Sequence, residues 1–154
     1  MINYKLLENI QNNKICLNYG WSISEKISDK ISYLFNIIIG ANDSKNIRYL
    51  CVPLHRLNKN HFTIILDDDE YTLFRLLNVI YEFYTNYKLS MQEIKQLDEN
   101  DEYDIITNLI NELKQGEIEN IYPIDIVSYK HFFEYISKNV DKNDDTQYYL
   151  HLTN

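Results

Sequence analysis

The run from His61 to Tyr84 constrains the fold more than any other part of this chain. His61 to Leu66 is rich in β-branched residues and reads as a strand. Asp67, Asp68 and Asp69 end that strand and open a helix. Its apolar face is Leu73, Leu76, Leu77, Ile80, Phe83 and Tyr84, with Tyr81 at the margin. Carboxylates in a first helical turn sit at the positive end of the helix dipole, so the junction is locally consistent. A strand and a long amphipathic helix in direct succession point to a mixed α and β architecture.

Elements of the same two kinds flank this unit. Asn46 to Pro53 reads as a second β run, joined to the first by the polar, basic loop Leu54 to Asn60 in an antiparallel hairpin. Ser22 and Glu25 have capping-box spacing. Ile23, Ile27, Ile31, Leu34, Phe35 and Ile38 then recur at helical intervals, predicting a helix over 23–38 with Gly40 as its C-terminal cap. Ser90 and Glu93 form another capping box before Met91, Ile94 and Leu97. The acidic stretch Asp98 to Asp104 leads into a helix over 101–115, with Tyr103, Ile106, Leu109, Ile110 and Leu113 on one face and Gly116 ending it. Ile121 to Val127 reads as extended around Pro123. His131 to Ser137 and Gln147 to Leu152 read as the strands of a closing hairpin, across the polar loop Lys138 to Thr146. The expectation is one α+β domain over residues 1–154, with four to five helices packed on antiparallel β-hairpins.

Composition narrows the function classes. A chain of 154 residues that is 45% hydrophobic supports one sizeable core and is too apolar for global disorder. With three Gly and two Pro, a Gly-rich phosphate loop is excluded. Fourteen tyrosines suggest a binding surface, but Ile, Asn, Lys and Tyr all have A/T-rich codons, and codon bias accounts for much of the excess. The net charge is −8, and residues 89–119 hold nine acidic side chains against two basic ones. That acidic middle argues against a nucleic-acid partner and against an anionic membrane surface. Cys16 and Cys51 read as reduced core thiols. The first 14 residues lack a signal-peptide pattern, and no apolar run approaches the ~20 residues of a membrane span. The expected location is intracellular, away from membranes.

Three patterns carry possible chemistry. Phe62 to Asp69, a hydrophobic strand ending in D-x-D, resembles the first motif of haloacid dehalogenase-like phosphatases. The resemblance implies Asp67 as nucleophile and Asp69 as general acid beside Mg²⁺, in a phosphatase or nuclease. Asp144 and Asp145, with Lys130 or Lys138, would complete that set. The chain departs from the family because few strands follow the motif, and a carboxylate-capped strand-to-helix junction explains the same residues. Cys16, Cys51, His55 and His61 are zinc-ligand types, but C-x3-H-x5-H is not a standard spacing, and core thiols with loop histidines explain them equally. His131 and His151 read as an exposed cross-strand pair. Arg48, Arg56 and Lys59, with His55 and His61, concentrate positive charge at the first hairpin, where phosphate contact competes with a solvated loop. No nucleophile elbow is present, and no cofactor is implied.

The block FTIILDDDEYTLFRLLNVIYEFYTNYKLSMQEI, and the tail PIDIVSYKHFFEYI with YYLHL, resemble segments of uncharacterised small proteins from giant nucleocytoplasmic large DNA viruses. The resemblance covers about half of the chain and rests on core patterns. It implies a viral protein, located in the virion or the host cytoplasm, and transfers no functional residue. The expected function is a non-enzymatic protein–protein interaction module, such as a virion or host-interaction factor, with homo-oligomer formation open. Tyr81, Tyr84 and Tyr87 on the central helix, and Tyr148 and Tyr149 on the last strand, are the candidate contacts, since tyrosine favours interface centres. Filling of the core is the competing role for each ring.

Overall fold

The Thr72 hydroxyl starts the central helix by accepting the Arg75 N–H at 3.2 Å. Helix α1, Leu73–Asn86, then buries Leu73, Leu76, Leu77, Ile80 and Tyr84 along one side. Each such side chain stabilises the fold by roughly 1.5–3 kcal/mol. The structure is a computed structural model, and it describes residues 14–17, 20–35, 49–54, 61–66, 71–98, 105–127, 131–138 and 147–153. In chain order its strands are β1 Lys14–Cys16, β2 Tyr49–Pro53, β3 His61–Ile65, β4 Phe132–Lys138 and β5 Gln147–Thr153. A 3₁₀ helix spans Asp29–Phe35. After α1 come α2 Met91–Asp98, α3 Ile105–Lys114 and α4 Pro123–Val127. The fold is α+β. Among the described residues no helix is long and apolar enough to cross a membrane.

The five strands form one sheet in the order β1-β4-β5-β2-β3. β2 and β3 are antiparallel, as are β4 and β5, but the two pairs are not separate hairpins. A parallel pairing of β2 with β5 fuses them, with Leu50 opposite Tyr148 and Cys51 opposite Tyr149. β1 adds to the far side of β4. Alternation along each strand divides the sheet into two faces. Ile15, Leu50, Val52, Ile136, Tyr148, Leu150 and Leu152 point to the core face. α1 lies on that face, its Phe83 ring 5.9 Å from Phe62 of β3. The register of β4 against β5 shifts between Phe133 and Tyr135, a bulge that leaves Glu134 exposed and Phe133 buried.

The expected helix over 23–38 is replaced by other structure over its described part. Ser22 bridges Phe132, and the Ile23 N–H donates to the His131 carbonyl at 2.8 Å, so the edge of β4 takes up this backbone. Ser22 does not form a capping box with Glu25; its hydroxyl meets that of Ser24 at 2.7 Å instead. The following helix is 3₁₀, Asp29–Phe35, with the Ser32 hydroxyl donating to the Asp29 carbonyl at 2.8 Å. Gly40 lies outside the described residues. Trp21 is 1% exposed, its indole N–H donating to the Glu25 carbonyl at 2.7 Å and its ring 5.9 Å from Phe133.

The segment around Pro123 is also corrected, from extended to helical. Pro123 occupies the first helical position, where its missing N–H costs nothing, and the Asp125 carboxylate accepts the Tyr122 N–H at 2.8 Å. The Ser90–Glu93 box forms as its spacing predicts, with reciprocal bonds of 2.9 and 3.1 Å. Gly116 ends α3 in the left-handed conformation (φ 75°), with Gly116 N–H to the Leu113 carbonyl and Glu117 N–H to the Glu112 carbonyl.

Candidate binding surface

The five tyrosines singled out by sequence separate into core and surface. Tyr84 is fully buried, and its hydroxyl donates to the Pro53 carbonyl at 2.6 Å. Burial raises its phenol well above the usual tyrosine value. Tyr148 is 6% exposed and faces the core beside Leu50. These two rings are structural, a correction to their assignment as contacts. The reason is the period of each element: Tyr84 falls on the same face of α1 as Ile80 and Leu77, and Tyr148 shares a sheet face with Leu150. Tyr81 is half-buried and packs against the core.

Tyr87 and Tyr149 remain accessible. Tyr87 follows α1 and is 41% exposed. It stacks on Phe83 at 5.4 Å and meets Phe62 edge-on at 6.3 Å. Its hydroxyl donates to the Glu93 carboxylate at 3.0 Å. Partial burial, then the hydrogen bond to Glu93 and its charge, hold the Tyr87 phenol above its usual value. Tyr149 is half-buried on the outer face of the sheet, opposite Ser137 on one side and Cys51 on the other.

That outer face carries a polar and aromatic stripe. Tyr135 and His151 stack at 4.2 Å, the Lys14 ammonium lies 4.9 Å from the Tyr135 ring, and Ser137 Oγ is 2.9 Å from His151 Nε2. Cys51 Sγ and Thr63 Oγ1 are 3.8 Å apart. His131 precedes β4 while His151 sits opposite Tyr135, so the two histidines are not cross-strand partners. His131 Nε2 is buried without a hydrogen-bond partner among the described residues.

The zinc grouping is split by the strand order. Cys16 on β1 and Cys51 on β2 have β4 and β5 between them, about 14 Å at ~4.8 Å per strand, too far to share one ion. Neither cysteine is in a disulfide among the described residues. His61 lies in β3, opposite Pro53. Among the described residues no group of three or more His, Cys, Asp or Glu is placed to hold a metal. Arg48, His55, Arg56, Lys59, Asp67, Asp69, Lys130, Asp144 and Asp145 lie outside the described residues.

One margin of the sheet gathers exposed apolar groups. β3 ends the strand order, and no described strand lies beyond it. On the outer face Ile65 is 61% exposed and Tyr49, its partner on β2, is 40% exposed. On the core side Phe62 of β3 is covered by Tyr87. In comparisons with protein-family models, curated proteins and solved structures, none matches the chain. The strand at this margin, His61-Phe62-Thr63-Ile64-Ile65, holds no Lys, Glu or Pro, and its pairing with β2 runs in regular register without a bulge. Charged side chains, proline and bulges are the usual devices that protect an edge from pairing, and this strand has none of them. The sequence marks Tyr87 as a protein contact; Tyr49 stands in it only as an aromatic neighbour of the basic loop, and Ile65 only as a strand residue. The uncharged make-up of this strand was the available signal.

Proposed function

We propose that the protein is a non-enzymatic protein-binding module whose contact surface is the β3 margin of the sheet. One observation carries this reading: exposed Tyr49 and Ile65 on one side, and Tyr87 on the other, flank an edge strand that has no protective charge. An edge of this kind supplies main-chain hydrogen bonds to an extended partner segment, and flanking apolar side chains supply specificity. Tyrosine contributes large contact area and a polar tip, which suits interface centres. A role as a virion or host-interaction factor is part of the same proposal.

Selection of a displayed random-peptide library against the immobilised protein tests the reading. Enrichment of extended, alternately apolar peptides is expected, with binding lost in Ile65→Lys and retained in Lys14→Ala. No enrichment, or enrichment indifferent to Ile65→Lys, would overturn it.

A further inference from the structure

The edge strand is a good partner for itself. Set antiparallel to a second copy about Thr63, it places Thr63 opposite Thr63, Phe62 opposite Ile64 and His61 opposite Ile65. Threonine pairs and aromatic–β-branched pairs are favourable cross-strand combinations. A two-fold axis through Thr63, normal to the sheet, keeps the two faces in register across the junction. Phe62 and Ile64 stay on the core side in both copies, and Thr63 and Ile65 stay on the outer side.

Charge order along the chain favours the same pairing. Arg56 and Lys59 precede β3 in the sequence, and Asp67, Asp68, Asp69 and Glu70 follow it. An antiparallel pair sets the two sequences in opposite directions, so the basic-then-acidic order of one copy meets the acidic-then-basic order of the other. The strand between carries no charged side chain, so the net −8 of each copy is not concentrated at the contact.

We infer that β3 joins two copies of this chain edge to edge, making one continuous sheet with a shared outer face. The inference rests on the reading of β3 as the contact strand and names a second copy as its occupant. The contact is isologous, so each residue and its counterpart meet twice. Tyr87, lying against Phe62, extends the apolar cover of the junction on the core side.

Sedimentation velocity over a wide concentration range tests this, together with three samples of substituted chain. The wild type is expected at twice the 18.6 kDa of one chain, with association weakening as salt rises. Thr63→Lys puts like charges opposite each other at the axis and is expected to weaken association by on the order of tenfold or more. Thr63→Glu alone behaves in the same way. An equimolar mixture of the Thr63→Lys and Thr63→Glu chains is expected to restore the dimer, which a misfolded variant cannot do. A wild-type dimer indifferent to these substitutions, or a mixture that stays monomeric, overturns the inference. A monomeric wild type that still binds library-selected peptides through β3 overturns self-pairing alone. A monomeric wild type that binds none overturns the protein-binding reading with it.

Discussion

The hydroxyl of Tyr84 in the last turn of α1 donates to the carbonyl of Pro53 at the end of β2, at 2.6 Å, in a fully buried contact. This bond ties the central helix to the strand that joins the two antiparallel pairs. A buried carbonyl left without its donor costs about 1–3 kcal/mol. Tyr84→Phe should therefore lower unfolding stability by about that amount in urea titration, with the circular dichroism spectrum unchanged.

The same residue makes stability depend on alkaline pH. Burial holds the folded-state phenol above its unfolded value near 10. The unfolded chain then ionises first as pH rises. The contribution is complete below about pH 10 and is lost as pH climbs from there toward the folded value. Urea midpoints measured through this window should fall in the wild type, and fall less steeply in Tyr84→Phe.

Glu93 serves two partners. It accepts the Ser90 N–H at the start of α2 and the Tyr87 hydroxyl. Glu93→Gln removes the negative charge beside the phenol, so the Tyr87 titration, followed by ultraviolet absorbance, should move down toward the usual tyrosine value. Ser90→Ala removes the reciprocal cap and should cost about 1 kcal/mol. A Tyr87 titration unmoved by Glu93→Gln would mean that Glu93 does not set it.

Gly116 is held at φ 75° with open space where a Cβ would stand. Gly116→Ala should therefore cost about 1–2 kcal/mol through backbone strain alone. Larger side chains at this position should cost no more than alanine, since nothing is there to clash. Thermal unfolding of the Ala and Leu substitutions would separate strain from sterics.

Tyr148 and Tyr149 are adjacent in sequence and opposite in environment. Tyr148→Ala empties a core position and should cost about 3–5 kcal/mol, as large aromatic truncations do. Tyr149→Ala, on the outer face, should cost distinctly less. Equal losses in chemical denaturation would contradict the assignment of faces.

The local elements were legible wherever one short segment carried the whole signal. The apolar face of α1, the Ser90–Glu93 cap and the left-handed Gly116 each follow from residues no more than a few turns apart. Sequence also marked β3 and the last two strands as β structure. It misread the start of the 23–38 segment, where β4 takes up the backbone at Trp21 to Ile23, and it misread Pro123, where proline starts a helix. Of the candidate surface, Tyr87 was legible in the sequence as a protein contact, while Tyr49 and Ile65 were not.

Sequence by itself determined the mixed α+β class, because side-chain period and capping act over three or four residues and need no distant partner. Tertiary structure alone decided that β2 lies parallel to β5, that Cys16 and Cys51 stand far apart, and that β3 is left at the margin. It also decided which tyrosines are core. Strand neighbours are chosen by contacts between residues far apart in the chain, and alternation within a strand names two faces without saying which one is covered.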